Sequence, residues 1–460
     1  MSPLALILAC LPPDLRPSYL LALVPPVVDT VGMALGAMLL AFVVSLPIGV
    51  AAALHPRAGR VLLAGLGTLR AVPDLTLAIL CVILFGVGPG AGLAALAIYY
   101  AVGVAKMFAD LLRTAPQAPL DALRAAGASR LQTVLFGLLP LKRADLLAYG
   151  AYEFECALRA SVIVGAVGGG GLGSELFGSL QAMDFHRVAT QVLVLVLLSA
   201  GFDTLAVRLR RQPRWLLALV PLGLAAVVAY APRLVSLGHA AHVLADMWPP
   251  QITAAGWAAL PQRIGETVWM ALAGTAGGVV IALLGGPLAA RTLAPPWLAW
   301  PVRRTMEALR AVPEVVWGLI LITTAGIGPV AGAWALALHS GGCLARLFAD
   351  VLDNAPVAPQ AAIAATGASR FKVFAFATAP LTLAPLAAHS LFRLEWNLRM
   401  ATVLGVIGAG GIGQALYEAQ QLFFYRQMLA YVLVTAVLIG LLDQAGEALR
   451  RRFGLLQVFA

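Results

Sequence analysis

Long apolar stretches, separated by short segments rich in arginine, proline and glycine, recur along the whole chain. Most of them hold about 20 residues with few charges, which is the length that a helix needs to cross a bilayer. A membrane β-barrel would instead show alternating segments of about 10 residues. The pattern therefore predicts an all-α, polytopic membrane protein. We predict about eleven transmembrane helices (about 10 to 12), over residues 27–54, 73–85, 91–112, 140–167, 188–207, 215–231, 264–290, 312–324, 330–348, 380–407 and 427–449.

Two segments depart from this pattern. Residues 1–26 are apolar but are interrupted by Pro12, Pro13 and Pro17, so two interpretations stay open: a remnant of a first span or a partly inserted segment. Residues 212–263 combine a lone span with a stretch that contains Pro, His and Trp residues but no long apolar run. Such a composition is typical of an interfacial loop, which we predict as the connection between two larger regions.

The apolar pattern occurs twice. A polar, alanine-rich stretch around Gly127 returns around Gly367, at an offset of 240 residues. Arginines collect near both stretches and at the ends of several spans, so the positive-inside rule places both stretches on the cytoplasmic face. This internal duplication predicts two halves, residues 27–211 and 264–460, that repeat in parallel about an axis along the membrane normal.

Composition supports a membrane protein and narrows its function. Hydrophobic residues make up 61% of the chain and charged residues 11%, against about 45–50% and about 25% in soluble domains. The formal net charge of +10 is explained by the positive-inside bias, so we predict no nucleic-acid partner. The four cysteines lie singly in apolar runs and no cluster of ligands surrounds the histidines, which predicts neither a metal site nor a cofactor.

The duplicated stretches carry the most specific motif of the chain. Each is a polar, alanine-rich helix with a glycine six residues after its first residue and a proline 13 residues after that glycine. This pattern resembles the cytoplasmic coupling loop of ABC importer permeases, whose motif begins Glu-Ala-Ala. Here the acid is kept only as Asp121, since the second copy begins with Ala361. The candidate coupling residues are Asp121, Ala122, Gly127, Arg130, Pro140, Ala361, Ala362, Gly367, Arg370 and Pro380.

The resemblance implies a type I ABC importer permease fold in each half, in the inner membrane of a bacterium. It also implies partners: two ATPase subunits on the cytoplasmic side, a periplasmic or lipoprotein substrate-binding protein, and the surrounding membrane lipid. The chain contains no Gly-x-x-x-x-Gly-Lys-Ser/Thr pattern, so we predict that it is not an enzyme and that a partner hydrolyses ATP. The alternative for each motif, an ordinary surface helix between spans, is disfavoured because the motif is duplicated in register.

Flanking residues narrow the resemblance to phosphonate permeases. Residues 346–350, 395–405 and 408–413 are similar to that branch, and the first half repeats the last two runs in degenerate form. The resemblance implies import of a small oxyanion, most simply a phosphonate or a phosphite. The alternatives are an ABC permease for another small solute, such as methionine or betaine, and a secondary transporter with parallel repeats that would need no ATPase.

A glycine-rich run follows one of the apolar spans in each half. Both runs match the spacing Gly-x-Gly-x-x-Gly, but a transmembrane helix precedes each of them where a dinucleotide site needs a strand. We therefore interpret the runs as unwound hinges or as sites of close helix packing. Their glycines are Gly168, Gly170, Gly173, Gly408, Gly410 and Gly413.

Charged residues lie inside the spans that precede these runs. Glu155 and Arg159, like Glu395 and Arg399, are four residues apart, so each pair can meet on one helix face. A charge near the bilayer centre costs at least about 2.5–3.5 kcal/mol, so such groups normally pair or face a cavity. Two interpretations stay open: structural pairs that neutralise themselves, or a translocation path for an anion that is lined by the arginines, with Asn397 as an added donor.

Overall fold

The computed structural model describes residues 12–55, 58–59, 61–62, 65–66, 73–211, 216–231 and 237–452. Within these ranges the secondary structure is helix and turn, as the apolar pattern predicts. Four parts of the predicted regions lie outside the described residues: the apolar residues 1–11, and residues 212–215, 232–236 and 453–460. The chain divides into two compact units, whose boundary in the sequence lies between Trp248 and Pro249.

The N-terminal unit is a set of helices of very different lengths. In chain order they are α1 (Pro17–Ala22), α2 (Val24–Leu54), α3 (Asp74–Phe85), α4 (Pro89–Arg113), α5 (Gln117–Ala125), α6 (Arg130–Thr133), α7 (Leu139–Val164), α8 (Gly171–Gln181), α9 (Phe185–Arg211), α10 (Leu216–Tyr230) and α11 (Leu237–Met247). Wide π-helical turns over Val134–Leu138 and Gly165–Gly169 precede and follow α7.

The C-terminal unit repeats this order from α2 to α9, and one further helix, α13 (Pro296–Ala311), is described in full only in this unit. It contains α12 (Ala254–Ala289), α13 (Pro296–Ala311), α14 (Glu314–Ala325), α15 (Pro329–Asp353), α16 (Val357–Ala365), α17 (Arg370–Val373), α18 (Ala379–Leu404), α19 (Gly411–Gln421) and α20 (Tyr425–Arg452). Phe374–Thr378 and Gly405–Ala409 are its π-helical turns. Helix α13 corresponds to a region of the first half that is mostly outside the described residues, and residues 58–59, 61–62 and 65–66 of that region are also helical.

Each unit is built around one long helix pair, α2 with α4 and α12 with α15. Small residues line these seams, because a side chain on the glycines would collide with the partner helix. A Cβ atom on Gly49 would lie 2.8 Å from the Cβ atom of Phe108, and one on Gly286 would lie 2.8 Å from that of Phe348. Both phenylalanines are only 1% exposed. Close backbone approach of this kind is the usual basis of helix association in membranes.

Every predicted span corresponds to a helix, but the predicted number of eleven is not confirmed. Among the described residues seven helices are long and apolar enough to cross a membrane, or up to nine if two bent pairs each form one span. The two remaining predicted spans are short. The 12 residues of α3 extend about 18 Å, and the 15 residues of α10 extend about 22 Å, against a hydrocarbon core of about 30 Å.

The region between the halves differs from the predicted interfacial loop. Helix α11 lies within it, and α12 begins at Ala254, ten residues before the predicted start of the second half. Thr253 explains this start, because its hydroxyl accepts a hydrogen bond from the Gly256 amide at 3.2 Å and caps the helix. The prediction missed the helix because polar residues interrupt the apolar pattern before residue 264.

Candidate functional site

The two predicted coupling segments fold in the same way. Helices α5 and α16 each end at a glycine with a left-handed backbone, Gly127 at φ +86° and Gly367 at φ +79°. The amide of Gly127 donates to the Arg124 carbonyl at 3.0 Å, and that of Gly367 donates to the Ala364 carbonyl at 3.0 Å. This is a glycine C-cap, which stops the helix and turns the chain back towards the next span.

The side chains of these segments are open to a partner. Asp121, Ala122, Gly127 and Arg130 are all exposed, as are Ala361, Ala362, Gly367 and Arg370. Asp121 already forms an ion pair with Arg124 at 2.8 Å, but both side chains are more than half exposed. Exposed ion pairs contribute about 0–1 kcal/mol, so this pair does not prevent either residue from binding a partner.

The segments differ in how the chain re-enters the bundle. In the first half, Ser129 and Gln132 form a capping box: the Gln132 amide donates to the Ser129 hydroxyl at 3.3 Å, and the Ser129 amide donates to the Gln132 side chain at 2.8 Å. In the second half the corresponding residues are Ser369 and Lys372, and the Ser369 side chain makes no capping bond. A lysine has no acceptor, so it cannot complete the box.

The prolines that follow lie in the first turn of α7 and α18, but helix is already present before them. Helix continues from Arg130 to Gly169 and from Arg370 to Ala409, and Pro140 and Pro380 lie inside these stretches. Each proline lies two residues after the end of a π-helical turn. A proline lacks an amide hydrogen and its ring crowds the carbonyl four residues earlier. The wider turn is one of the recognised ways to accommodate such a defect.

The glycine-rich runs break the helix in both halves. Gly168, Gly170 and Gly171 have φ values of +98°, +79° and +74°, and the second half repeats this series. The axis turns by 59° between Arg130–Gly169 and Gly171–Gln181. A helix, not a strand, precedes each run, so neither is a dinucleotide-binding turn. The chain is thus broken where the sequence predicted a hinge or a packing site.

Two glycines of these runs are fixed by close packing onto the preceding helix. A Cβ atom on Gly173 would lie 2.0 Å from the Val162 carbonyl oxygen, and one on Gly413 would lie 1.8 Å from the Thr402 carbonyl oxygen. No real Cβ contact is that short. Because these are backbone atoms, the neighbour cannot move aside as a flexible side chain would. The broken helix therefore folds back tightly on itself.

A long helix fastens each break through a threonine. In the first half the Leu172 amide donates to the Thr30 hydroxyl at 2.8 Å, and in the second the Ile412 amide donates to Thr267 at 3.0 Å. In the second half the Glu266 carboxylate accepts a further bond, from the Gly411 amide at 2.8 Å. These acceptors satisfy amides at a helix N-terminus that have no partner inside the helix.

One predicted charge pair forms and the other does not. Arg159 donates to Glu155, as predicted from their spacing. In the second half, Arg399 instead donates to Asp443 at 2.5 Å, and Glu395 accepts from Arg450.

The partners that replace the predicted pair both lie on α20, which packs beside α18. Gly446 makes this exchange possible, since a Cβ atom there would lie 2.0 Å from the Glu395 carboxylate. The Arg450 guanidinium also stacks 4.3 Å from the centre of the Phe392 ring. The charges therefore join two helices rather than neutralise one helix face. The prediction of a Glu395–Arg399 pair is thus wrong.

Asn397 lies in a buried polar network. Its side chain is 0% exposed. It donates to the Thr275 hydroxyl at 2.9 Å and accepts from the Ser340 hydroxyl at 2.8 Å. Ser340 in turn accepts from Arg393 at 2.8 Å. Because the nitrogen and the oxygen of its side-chain amide both bond to protein groups, Asn397 is part of the packing between α12, α15 and α18.

The same network contains charged residues that the sequence analysis missed. The Glu314 carboxylate accepts from Arg393 at 3.2 Å and from the Trp396 indole at 3.0 Å, and it lies 3.2 Å from His339 Nε2. Two signals pointed to these residues: Glu314 follows a proline at the start of an apolar run, and Arg393 lies two residues before Glu395 in an apolar span. Buried charges of this kind are expected to pair.

Comparisons with known proteins agree with this architecture. The family described as "Binding-protein-dependent transport system inner membrane component" matches residues 45–214 and again residues 278–454. The "Phosphate-import permease protein PhnE" of Mycolicibacterium smegmatis is 31% identical over 450 residues, which cover 92% of this chain and 84% of that protein. The "Phosphite transport system permease protein PtxC" of Stutzerimonas stutzeri is 34% identical over 209 residues, which cover 45% of this chain and 75% of that protein.

Among solved structures, the MetNI methionine ABC transporter in an inward-facing conformation aligns with a TM-score of 0.41 and 22% identity, over 44% of this chain and 99% of that chain. The sequence matches cover both halves and most of the chain, and they show the family. The chain belongs to the family of inner-membrane components of binding-protein-dependent transport systems, and it contains the family's permease unit twice.

Proposed function

We propose that the chain is the permease of an ABC importer that takes up a phosphorus oxyanion: phosphate, phosphite or a phosphonate. One observation carries this proposal. The mycobacterial phosphate-import permease matches over 92% of the chain, so the likeness extends across both halves and is not limited to the shared coupling motif. The relative named for phosphite transport supports the same class of solute.

The coupling segments support the participation of two ATPase subunits. A permease performs no chemistry on ATP, so it needs a rigid helix that a partner can grip and move. Helices α5 and α16 each provide one, with a fixed glycine cap and exposed side chains. Arg130 and Arg370 can bind acidic groups of the partner. We infer that each ATPase subunit docks on one segment, and that a separate binding protein delivers the solute on the opposite face.

The contacts of the intramembrane charges favour the structural interpretation over a path lined by arginines. Arg399 bonds to Asp443, Glu395 bonds to Arg450, and Asn397 is enclosed by neighbours. Arg159 bonds to Glu155. We infer that these groups hold the spans together, and that the binding protein supplies much of the selectivity for the anion.

The proposal can be tested by uptake in a bacterium whose own phosphorus importers have been deleted. The chain would be produced together with the ATPase and the binding protein of its own organism, and uptake of radiolabelled phosphate, phosphite and methylphosphonate would be measured. We expect uptake of at least one of them, dependent on the ATPase. Uptake of methionine or betaine without uptake of any phosphorus oxyanion would overturn the proposal.

A further inference from the structure

Helix α13 lies across the direction of the helix that follows it. The axes of Pro296–Ala311 and Glu314–Ala325 differ by 87°, with the bend at Val312 and Pro313. Two hydrogen bonds hold this bend: His339 Nδ1 lies 2.9 Å from the Val312 carbonyl oxygen, and the Trp317 indole donates to the Leu309 carbonyl at 3.2 Å. If α14 runs into the bilayer, α13 must lie along the membrane surface.

The exposed side of α13 has the residues of an interfacial helix. Trp297 is 75% exposed and Trp300 is 65% exposed, and only Ala299 is buried. Tryptophan is enriched at the boundary between lipid and water, where its ring is in contact with acyl chains and its N–H with headgroups. A helix with tryptophans on one side and arginines beside them is typical of segments that bind the surface of a membrane.

A basic pocket lies next to these tryptophans. Its lining contains four arginines and one glutamate, together with Ala294, Pro296, Ala299 and Trp300. The charged residues of this lining are Arg291, Arg303, Arg304, Glu307 and Arg346.

The arginines of the pocket outnumber the carboxylates that contact them. Arg346 and Arg304 each bond to Glu307 at 2.6 Å, and Arg346 also bonds to Asp350 at 3.1 Å. Arg303 bonds to Asp353 at 2.8 Å and lies 3.6 Å from Asp350. Four guanidinium groups thus face three carboxylates, which leaves a net positive charge in the pocket. A guanidinium binds a phosphate through two parallel hydrogen bonds, so the pocket suits a phosphate group.

The pocket is directly connected to the second coupling segment. Asp353, the last residue of α15, accepts bonds from the amide and the hydroxyl of Thr292, both at 3.0 Å, and from Arg303. Helix α16 begins four residues later, at Val357. A ligand in the pocket would therefore lie beside the coupling segment, on the same face of the C-terminal unit.

We propose that this pocket binds the headgroup of an anionic phospholipid from the leaflet that faces the coupling segments. Arg291 and Arg304 hold the phosphate, while Trp297 and Trp300 contact the start of the acyl chains. A free phosphorus oxyanion would share the guanidinium contacts but would leave both tryptophans in contact with water. The combination of a surface helix, exposed tryptophans and a net positive pocket therefore favours the lipid.

The test compares lipid retention by variants of the full chain in nanodiscs made of phosphatidylglycerol and phosphatidylcholine. The test variant is Arg291→Gln/Arg304→Gln, which spares Arg303 and its bonds to the fold. The control is Arg143→Gln/Arg208→Gln, which removes two exposed arginines from the N-terminal unit. Lipids that remain bound after transfer to detergent would be counted by native mass spectrometry, with and without excess inorganic phosphate.

We expect the test variant to retain several-fold less phosphatidylglycerol than the unaltered chain, with phosphatidylcholine and the control unaffected. If the test variant does not fold, Arg291→Lys/Arg304→Lys gives the answer, because it keeps the charge but loses the two parallel bonds of each guanidinium. It should retain less phosphatidylglycerol than the unaltered chain, and full retention would overturn the proposal. Equal retention of both lipids by the unaltered chain would overturn the proposal. Displacement of the lipid by inorganic phosphate would also overturn it, since the pocket would then be a site for the free anion.

Discussion

The two halves hold their broken helices in the same way, but the acidic residue before the capping threonine has a different hydrogen-bond partner in each half. A threonine on the long helix, Thr30 or Thr267, caps the second piece of each broken helix. Beside Thr267, Glu266 adds a second bond to the same helix end. Its counterpart Asp29 instead accepts from the Tyr230 hydroxyl of α10 at 2.8 Å. The backbone of the repeat is thus preserved, while its acidic side chain has acquired another partner.

The polar interiors differ more strongly. In the C-terminal unit Arg393, Glu314 and Asn397 belong to one hydrogen-bonded network that joins four helices. At the offset of 240 residues the N-terminal unit has Glu153 in place of Arg393, and Ala157 in place of Asn397. Glu153 there accepts from Tyr149 on its own helix. Glycines and helix ends therefore define this fold, whereas the polar contacts between helices can be replaced.

The largest effect is expected at the glycines that both halves share. Gly413→Ala and Gly173→Ala each place a Cβ atom about 2 Å from a backbone carbonyl. Overpacking costs about 1–3 kcal/mol where the neighbours can adjust, and here the cost exceeds that range because a backbone carbonyl cannot move aside. We expect little folded protein from either variant, as measured by its yield in size-exclusion chromatography.

Gly178→Ala and Gly440→Ala are the matched controls, because a Cβ atom at these positions meets nothing within 4 Å. They should behave like the unaltered chain. If Gly173→Ala were tolerated and Gly413→Ala were not, the break would be essential in one half only, and the two halves would differ in backbone as well as in side chains.

The next largest effect is expected from the network of the C-terminal unit. Arg393→Gln leaves Glu314, which is 5% exposed, with less positive charge to balance it. Removing one partner of a buried ion pair costs about 3–5 kcal/mol. The thermal midpoint in detergent should fall clearly, and Glu314→Gln/Arg393→Gln should recover much of the loss.

Glu153→Gln, at the corresponding position of the N-terminal unit, should have a smaller effect, because Tyr149 can donate to an amide oxygen as well. An equal loss of stability in the two variants would show that the N-terminal unit depends on its polar interior as much as the C-terminal unit does.

Among the charge pairs, Arg399 should matter more than Arg159. Arg399→Gln leaves Asp443 on the neighbouring helix without its 2.5 Å partner, so it weakens a contact between helices. Arg159→Gln weakens a contact within one helix. We expect uptake of phosphorus oxyanions and the membrane level of the protein to fall together in Arg399→Gln.

The paired variants Arg399→Gln/Asp443→Asn and Arg159→Gln/Glu155→Gln separate the two interpretations of these charges. If the charges are structural, the first double variant recovers both protein level and uptake. If its level recovers while uptake stays lost, Arg399 lies on the path of the anion and the structural interpretation is wrong.

The smallest effect is expected where the coupling segments re-enter the bundle. Ser129→Ala removes a capping box, which should cost about 1 kcal/mol, whereas Ser369→Ala removes a side chain that caps nothing. Hydrogen exchange of residues 130–133 and 370–373 should increase in the first variant only. An increase in both would contradict the difference that we describe between the segments.

Much of the fold was predictable because its signals are local. Apolar runs, prolines and glycines define α4, α15 and both coupling segments, whose boundaries were predicted to within a few residues. Helix α13 was missed because prolines and charged residues interrupt its apolar residues and leave no apolar run. The π-helical turns before Pro140 and Pro380 were missed because a helix can accommodate a proline in several ways, and the local sequence does not determine which one is used.

The charged residues show where local rules fail. The rule that residues four apart can meet predicted the contact of Glu155 with Arg159, but it considers only one helix. Glu395 and Arg399 found partners 55 and 44 residues away, on α20. Such contacts depend on how two helices pack, and in this case on the absence of a side chain at Gly446. The exposed coupling residues would act on another protein, which the sequence of this chain does not reveal, so their function stays a prediction.

The central claim is that one chain supplies both permease halves and therefore both coupling segments. Native mass spectrometry of the importer, purified through the ATPase, measures this directly. The account predicts a complex with one copy of this chain and two ATPase subunits, and the same ratio at every protein concentration at which the complex persists. Two copies of this chain in each complex would contradict it, because each copy would then provide only part of the coupling surface.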